Sequence, residues 1–245
     1  MKMPGLIRGI VVVSIVYAVS GIVHRLNVHN CAHTYVRVMI DTDSVVADEL
    51  CAIETLLTTV HAQEGCTLVD CITQAQAQFP YLHAGTAVFE PDSLVVYSFA
   101  CSKPVCMVND QYLLLDNGAL VARELFSGNS YLHIPTITME QSLMQGQSQT
   151  HRIADAMAHI DPAIATGDRM HWHTVDSGFL DTHDRAGLKV RFDITHIPTA
   201  YILAYCATIH HELRDSNVLC HGVWIADIRF SNQIIVYRGK GGGDV

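Results

Sequence analysis

The sequence predicts an α+β chain: one N-terminal membrane-spanning helix, a β-α-α-β-β module, then a mostly antiparallel β domain with two or more helices. Three observations carry that expectation. A short basic start holding Lys2 and Arg8 precedes an apolar run from Gly9 to Val23. Between Thr34 and about Ala100 the apolar period passes from strand-like to helical and back. From Phe79 to Val121 the chain reads as a ladder of hairpins hanging from the end of a helix.

Composition narrows the class. At 245 residues there is room for one large domain or two small ones plus an anchor. A formal charge of −9 with only 15 Lys and Arg argues against wrapping a nucleic-acid backbone. With 49% apolar and 16% charged residues, a packed core is expected and wholesale disorder is not. Eight cysteines in so long a chain do not make a small disulfide scaffold, and no C-x-x-C occurs.

Pro4 to Val23 is twenty residues, the length at which roughly 20 apolar residues span a bilayer. The positive-inside tendency puts residues 1–8 in the cytoplasm, a span at 9–24 in the membrane and everything after His24 outside. A signal peptide cleaved near Ala18-Val19-Ser20 is the alternative, and a buried core helix a third. Anchor or signal, the bulk of the chain is expected to be exported.

Tyr35 to Ile40 alternates as a strand does, and Asp41 to Ser44 offers capping oxygens to a helix around 46–60. Asp48 and Glu49 suit that helix's positive end. Leu50, Ile53, Leu57 and Val60 have helical spacing, and a second helix, about Leu68 to Gln78, turns Leu68, Ile72, Ala75 and Phe79 inward. Strands at Thr86–Phe89 and Ser93–Phe99, split by Glu90-Pro91-Asp92, complete the module. Met107 to Leu115 reads as one run, reaching Asp116-Asn117-Gly118, a strong hairpin signal.

Farther on, Ile134 to Ile137 reads as a loop and His151 to Ile160 as a helix with Ile153, Ala156, Met157 and Ile160 inward, stopped by Pro162. Met170–Val175 and Leu188–Ile194 read as strands joined through Gly178 and Gly187. Ile202–Leu213 reads as a helix, and Val223–Tyr237 as two strands split at Ser231-Asn232. Residues after Arg238, rich in glycine, are expected to be solvated.

Cys206 and His210, with His211 beside them, and the strand pair His171 and His173 have spacings a metal accepts. The plainer account is half-buried His and Cys, because zinc also needs converging ligands and a supporting shell. Asp181, His183 and Asp184 suggest acid–base work, but Asp-rich turns before strands are common. No G-x-S-x-G, H-E-x-x-H or EF-hand spacing occurs, and no helix follows the terminal Gly-Lys-Gly-Gly-Gly to make a phosphate loop. No catalytic residue, cofactor or metal ligand is therefore assigned. Two local cysteine pairs are expected to stay unbridged. An extended Cys101–Cys106 would span roughly 16 Å at about 3.3 Å per residue, and Cys66–Cys71 straddles a helix start off the shared face.

Several motifs, in order, resemble the FtsQ/DivIB family of bacterial cell-division proteins. Asp48-Glu49-Leu50 resembles the start of that family's first POTRA helix, and Phe79-Pro80-Tyr81-Leu82 with Ala84 and Ala87-Val88 its aromatic-proline exit. Pro91 to Val96 resembles its P-x-x-L strand, and Pro104 with Leu114 to Gly118 the hairpin opening its β domain. Trp172 resembles its tryptophan strand, and Asp227-Ile228-Arg229-Phe230 its terminal D-L-R-Y. The resemblance implies a cytoplasmic tail at 1–8, a transmembrane helix at 9–24, a POTRA module at 34–103, an FtsQ-type β domain at 104–238 and a flexible tail at 239–245.

It further implies a non-catalytic scaffold, single-pass in the inner membrane, that recruits an FtsB/FtsL-type partner to the septum by strand addition, with the POTRA module supporting targeting and other division contacts. Arg229 would pair with a partner carboxylate and Phe230 would be the apolar anchor. Asn232, Ile234 and Val236 would form the edge, with Arg169 a lesser carry-over. An exported POTRA-type chaperone of outer-membrane assembly and a metal-dependent periplasmic enzyme are the rival expectations.

Overall fold

The computed structural model describes residues 35–40, 45–63, 65–126, 131, 133–165, 168–182, 187–216 and 222–239. The expected span at 9–24, the caps at 41–44, the pair His183-Asp184 and the last six residues lie outside these. Among the described residues no helix is long and apolar enough to cross a membrane. The architecture is α+β, in two compact units: one holds residues 35–40 with Ala47–Ala100, the other Val45, Val46 and the chain from Cys101 on.

The first unit runs β1 (Tyr35–Ile40), α1 (Ala47–His61), α2 (Leu68–Gln78), β2 (Leu82–Glu90) and β3 (Leu94–Cys101). Its sheet has the order β1-β3-β2, with β1 parallel to β3 and Tyr35 opposite Leu94. Parallel neighbours need a crossover, and the two helices supply it. Ile53, Leu57 and Val60 are buried as their spacing predicts, whereas Leu50 is only half-buried. On α2 the inward residues are Leu68, Cys71 and Ala75, and Cys71 takes the place expected for Ile72. The Val38 N–H donates to Glu54 Oε1 (3.2 Å) and the Tyr81 hydroxyl to Glu49 Oε2 (2.7 Å), tying α1 to the sheet and to the turn after α2.

Thr67 caps α2 in a capping box with Asp70: the Asp70 N–H donates to Thr67 Oγ1 and the Thr67 N–H to Asp70 Oδ2. Both cysteines are free thiols; what the box corrects is the geometric ground, that Cys66 stands off the face of Cys71. Cys66 lies outside the helix, where a face-counting rule does not apply, and its Sγ sits 3.7 Å from that of Cys71.

The second unit is a nine-stranded sheet of order β12-β11-β10-β9-β8-β7-β4-β5-β6. Its strands are β4 (Pro104–Val108), β5 (Tyr112–Leu115), β6 (Leu120–Ala122), β7 (Thr136–Met139), β8 (Arg169–Trp172), β9 (Ser177–Asp181), β10 (Leu188–Asp193), β11 (Trp224–Asp227) and β12 (Ile235–Arg238). Between them come α3 (Gln141–Met144), α4 (Gln147–Met157), α5 (Pro162–Ala165) and α6 (Ala200–Asp215). Pairing is antiparallel at five of the eight junctions and parallel for β4/β7, β7/β8 and β10/β11.

Three expectations are corrected here. Met107–Leu115 is two strands, because the left-handed Asn109 (φ 52°) and Asp110 (φ 61°) turn the chain back over residues 109–111 and set Val108 opposite Tyr112. Residues 136–139 are a strand, made by parallel partners on both sides. Ser177–Asp181 is a strand too, with Gly178 inside it: a Cβ there would stand 2.8 Å from the His171 carbonyl oxygen, so only glycine lets the backbones approach. The core joins strand residues Ile137, Met170, Trp172, Leu180, Val190, Phe192 and Ala226 to Leu143, Ile153, Met157, Ile164, Leu203 and Cys206 of the helices. Trp172 and Phe192 meet edge to face, with ring centroids 5.2 Å apart.

Candidate partner-binding edge

Among the described residues no strand lies beyond β12, so the nine-stranded sheet ends there. β12 runs antiparallel to β11 with Trp224 opposite Arg238 and Ala226 opposite Val236. The Gly239 N–H donates to the Val223 carbonyl (2.9 Å), which fixes the phase of the ladder. Hydrogen-bonded pairs alternate along an antiparallel ladder. Ile235 and Tyr237 therefore turn their backbone groups toward β11, and Val236 turns its N–H and C=O away, to the side where the sheet ends.

Side chains alternate in the other sense. Ala226 is in the core and Ile234 packs against it, so the even-numbered residues of this strand face the helices. Ile235 and Tyr237 lie on the opposite face with Arg191 and Asp227, Ile235 being 42% exposed. The Tyr237 hydroxyl accepts from Arg191 (3.4 Å), and that guanidinium lies 5.3 Å from the Phe179 ring centroid.

The six residues singled out from the sequence are placed unequally. Arg229 already has a carboxylate: its Nε and a terminal nitrogen donate to the two oxygens of Asp227 at 2.9 and 2.7 Å, and the Arg229 N–H adds a third bond. The Asp227 side chain is 4% exposed. Burial alone would raise its carboxyl, but Arg229, with the charge of Arg191, holds it below the ordinary carboxylate range. In the chain by itself, Arg229 therefore already holds a bidentate pair with Asp227.

Phe230 is 47% exposed beside the Arg229 guanidinium, 5.8 Å from its ring centroid. Asn232 (φ 62°) sits in the turn that brings the chain back, a left-handed position asparagine tolerates. Ile234 precedes β12 and helps close the core, so its side chain is not part of the edge. Val236 contributes its backbone. Arg169 stands on β8, with β9, β10 and β11 between it and β12, about 19 Å away at about 4.8 Å per strand.

Tyr237, Ile235 and Arg191 are the residues that sequence reasoning missed. The signal was parity: two charged strand residues, Arg191 and Asp227, mark the face they share. Phe230, Ile235 and Tyr237 thus give the end of the sheet an apolar and aromatic surface beside a cationic one.

The histidine pairs do not converge. His171 Nε2 contacts Asp181 Oδ2 (2.9 Å), which also faces Lys189 (3.3 Å). His173 instead lies 3.3 Å from the Ser177 hydroxyl and stacks near Phe179. Cys206 and His210 are buried on α6. Among the described residues no group of three or more His, Cys, Asp or Glu stands ready to hold a metal ion. An open depression of about 350 Å³ is lined by Arg152, Asp155, Ala156, His159, Ile194 and Ile197. Its Arg152 is drawn to Asp176 (2.6 Å).

No protein-family model matches this sequence, and no curated protein matches it. Among solved structures, the major extracytoplasmic domain of the trans isomer of the cell-division protein DivIB from Geobacillus stearothermophilus is similar over 48% of this chain and 98% of that one. The identity is 17% and the TM-score 0.30, a distant likeness in both sequence and shape.

Proposed function

We propose that this chain is a non-catalytic scaffold of the bacterial division machinery, of the FtsQ/DivIB kind. It is held in the inner membrane by a helix at residues 9–24, and it recruits an FtsB/FtsL-type partner by strand addition to β12. The observation that carries the proposal is the open edge of β12, with the Val236 backbone groups directed away from the sheet and Phe230 and Ile235 exposed beside it. A bare edge with apolar neighbours is an aggregation hazard that a partner strand removes. The order of motifs in the sequence adds support, and the β-α-α-β-β unit ahead of the sheet stands where a POTRA module is expected.

The geometry selects the variants. Val236→Pro removes an outward N–H without breaking a β11 ladder bond, which is where a sheet tolerates proline. Ile234→Pro would disturb core packing instead, and Arg229→Glu would set two carboxylates together at Asp227. Phe230→Ala is expected to weaken partner binding by ~2 kcal/mol, about thirtyfold. In a pull-down with an FtsB-like partner, Val236→Pro and Phe230→Ala should lose the partner while circular dichroism stays unchanged. Wild-type retention by both folded variants would put the docking site elsewhere.

A further inference from the structure

We propose that Cys66 and Cys71 are an oxidative modification site, which a disulfide oxidant converts to an intrachain disulfide clamping the start of α2. With Thr67 as the cap, Cys66 is the residue before the cap and Cys71 the fourth helical residue. Those are the two positions whose side chains pack together in a hydrophobic staple. Here the staple is two thiols, with sulfurs 3.7 Å apart. A disulfide needs about 2.05 Å, so the two sulfurs have about 1.7 Å to close.

Accessibility gives the two sulfurs different parts. Cys66 is half-exposed and meets the oxidant, while Cys71 is buried behind it. The Cys66 thiolate attacks one sulfur of the oxidant RS–SR, forming a mixed disulfide and releasing RS⁻. The Cys71 sulfur then attacks Cys66 Sγ and displaces the second RS⁻. The two departing thiolates take up the two cysteine protons and leave as RSH, so two electrons pass from the pair to the oxidant. The Tyr97 hydroxyl lies against Cys71 and also 3.3 Å from His61 Nδ1. It keeps that second partner when Cys71 is oxidised, so the bridge leaves no buried hydroxyl unpaired. Burial, with Cys71 beside it, pushes the Cys66 thiol up to about 11. The bridge therefore forms slowly at neutral pH and about tenfold faster per pH unit above it, as befits a structural link rather than an exchange catalyst.

The test uses the purified full chain and oxidised glutathione, so its result does not depend on the compartment or partner proposed above. Asp70 lies between the two cysteines, and cleavage on it separates them unless they are bridged. At about pH 8.5 the folded wild type should lose two alkylatable thiols and keep the two peptides joined until dithiothreitol is added. Its melting temperature should rise, reversibly with dithiothreitol. Cys66→Ser should show neither the link nor the rise. Four results would each overturn the proposal: both thiols remaining alkylatable, a stable glutathione adduct on Cys66 that Cys71 never resolves, a link to Cys51 instead, or a bridge that forms only in urea.

Discussion

Asn109 holds the Met139 peptide at both ends. Its Nδ2 donates to the Met139 carbonyl (3.0 Å) and its Oδ1 accepts from the Met139 N–H (2.9 Å), while its own N–H donates to Ile137 (2.9 Å). One turn residue thus lengthens the parallel β4/β7 ladder beyond the end of β4. Replacement by alanine should cost roughly 2–3 kcal/mol, from two side-chain bonds at about 1 kcal/mol each and a left-handed φ that alanine resists. Asn109→Gly relieves the φ alone and should cost about 1 kcal/mol less than alanine. Urea midpoints of the two variants measure the difference, and equal midpoints would refute the division.

Gly118 is the second tight point of the same unit. Its φ is 78°, and a Cβ there would stand 2.6 Å from the His151 Cα and 2.8 Å from its N. The Thr150 hydroxyl donates to the Gly118 carbonyl at 2.6 Å, pinning α4 against the hairpin. Gly118→Ala should therefore cost about 2 kcal/mol or more, by strain and overpacking together. Thr150→Val should cost about 1 kcal/mol. Thermal melts of both would show whether glycine is required for space or only for its φ.

Arg229→Met keeps the stem and removes the charge, leaving the carboxylate of Asp227 buried without its bidentate partner. A loss of about 2 kcal/mol is expected, while Asp227→Asn/Arg229→Met together should lose less than the sum of the single changes. A double-mutant cycle in urea is the measurement. Strict additivity would mean the pair is not coupled.

Acid should weaken the fold in two stages. Burial holds His61, His173 and His210 below their ordinary 6.5, His173 and His210 with help from nearby arginines. The unfolded chain therefore binds protons there first. That contribution is complete above about pH 6.5 and is lost as pH falls through the lowered folded values. Asp181, hydrogen-bonded by His171, and Asp227 are lowered too, so their contribution is present above the ordinary 3.8 and is lost below it. The urea midpoint should be flat from about pH 8 to 7 and fall on acidification. A rise between pH 7 and 5 would contradict the direction of all three histidine shifts.

The longer helices were legible because each carries its own signal, whereas the four-residue α3 and α5 were not, and Pro162 opens α5 rather than only stopping α4. α1 and α2 need only the helical period, and Ile53 and Leu57 land in the core as spaced. β7 and β9 were not legible. Thr136 to Met139 does alternate β-branched residues, but four residues directly after Pro135 are too few to stand out as a strand, and the five around Gly178 are broken by glycine. Partners distant in sequence make both strands. At the candidate edge, exposure of Phe230 could be anticipated from an aromatic beside a turn. The inward setting of Ile234 could not, because its parity is fixed by the register with β11.

β10 and β11 are parallel, and α6 spans the gap between them. The chain must therefore lay down a whole helix before β11 can dock on β10, whereas β12 pairs with β11 across a short local turn and joins the sheet with it. Long-range closures of this kind are the slow ones in folding. On the function proposed above, a partner strand that needs β12 docked in the sheet would read molecules in which this long-range closure is complete. In refolding experiments on a Trp224→Phe variant, in which Trp172 is the remaining tryptophan, competence to bind should lag the quenching or shift of fluorescence that reports burial of Trp172. Simultaneous recovery of both would refute that order.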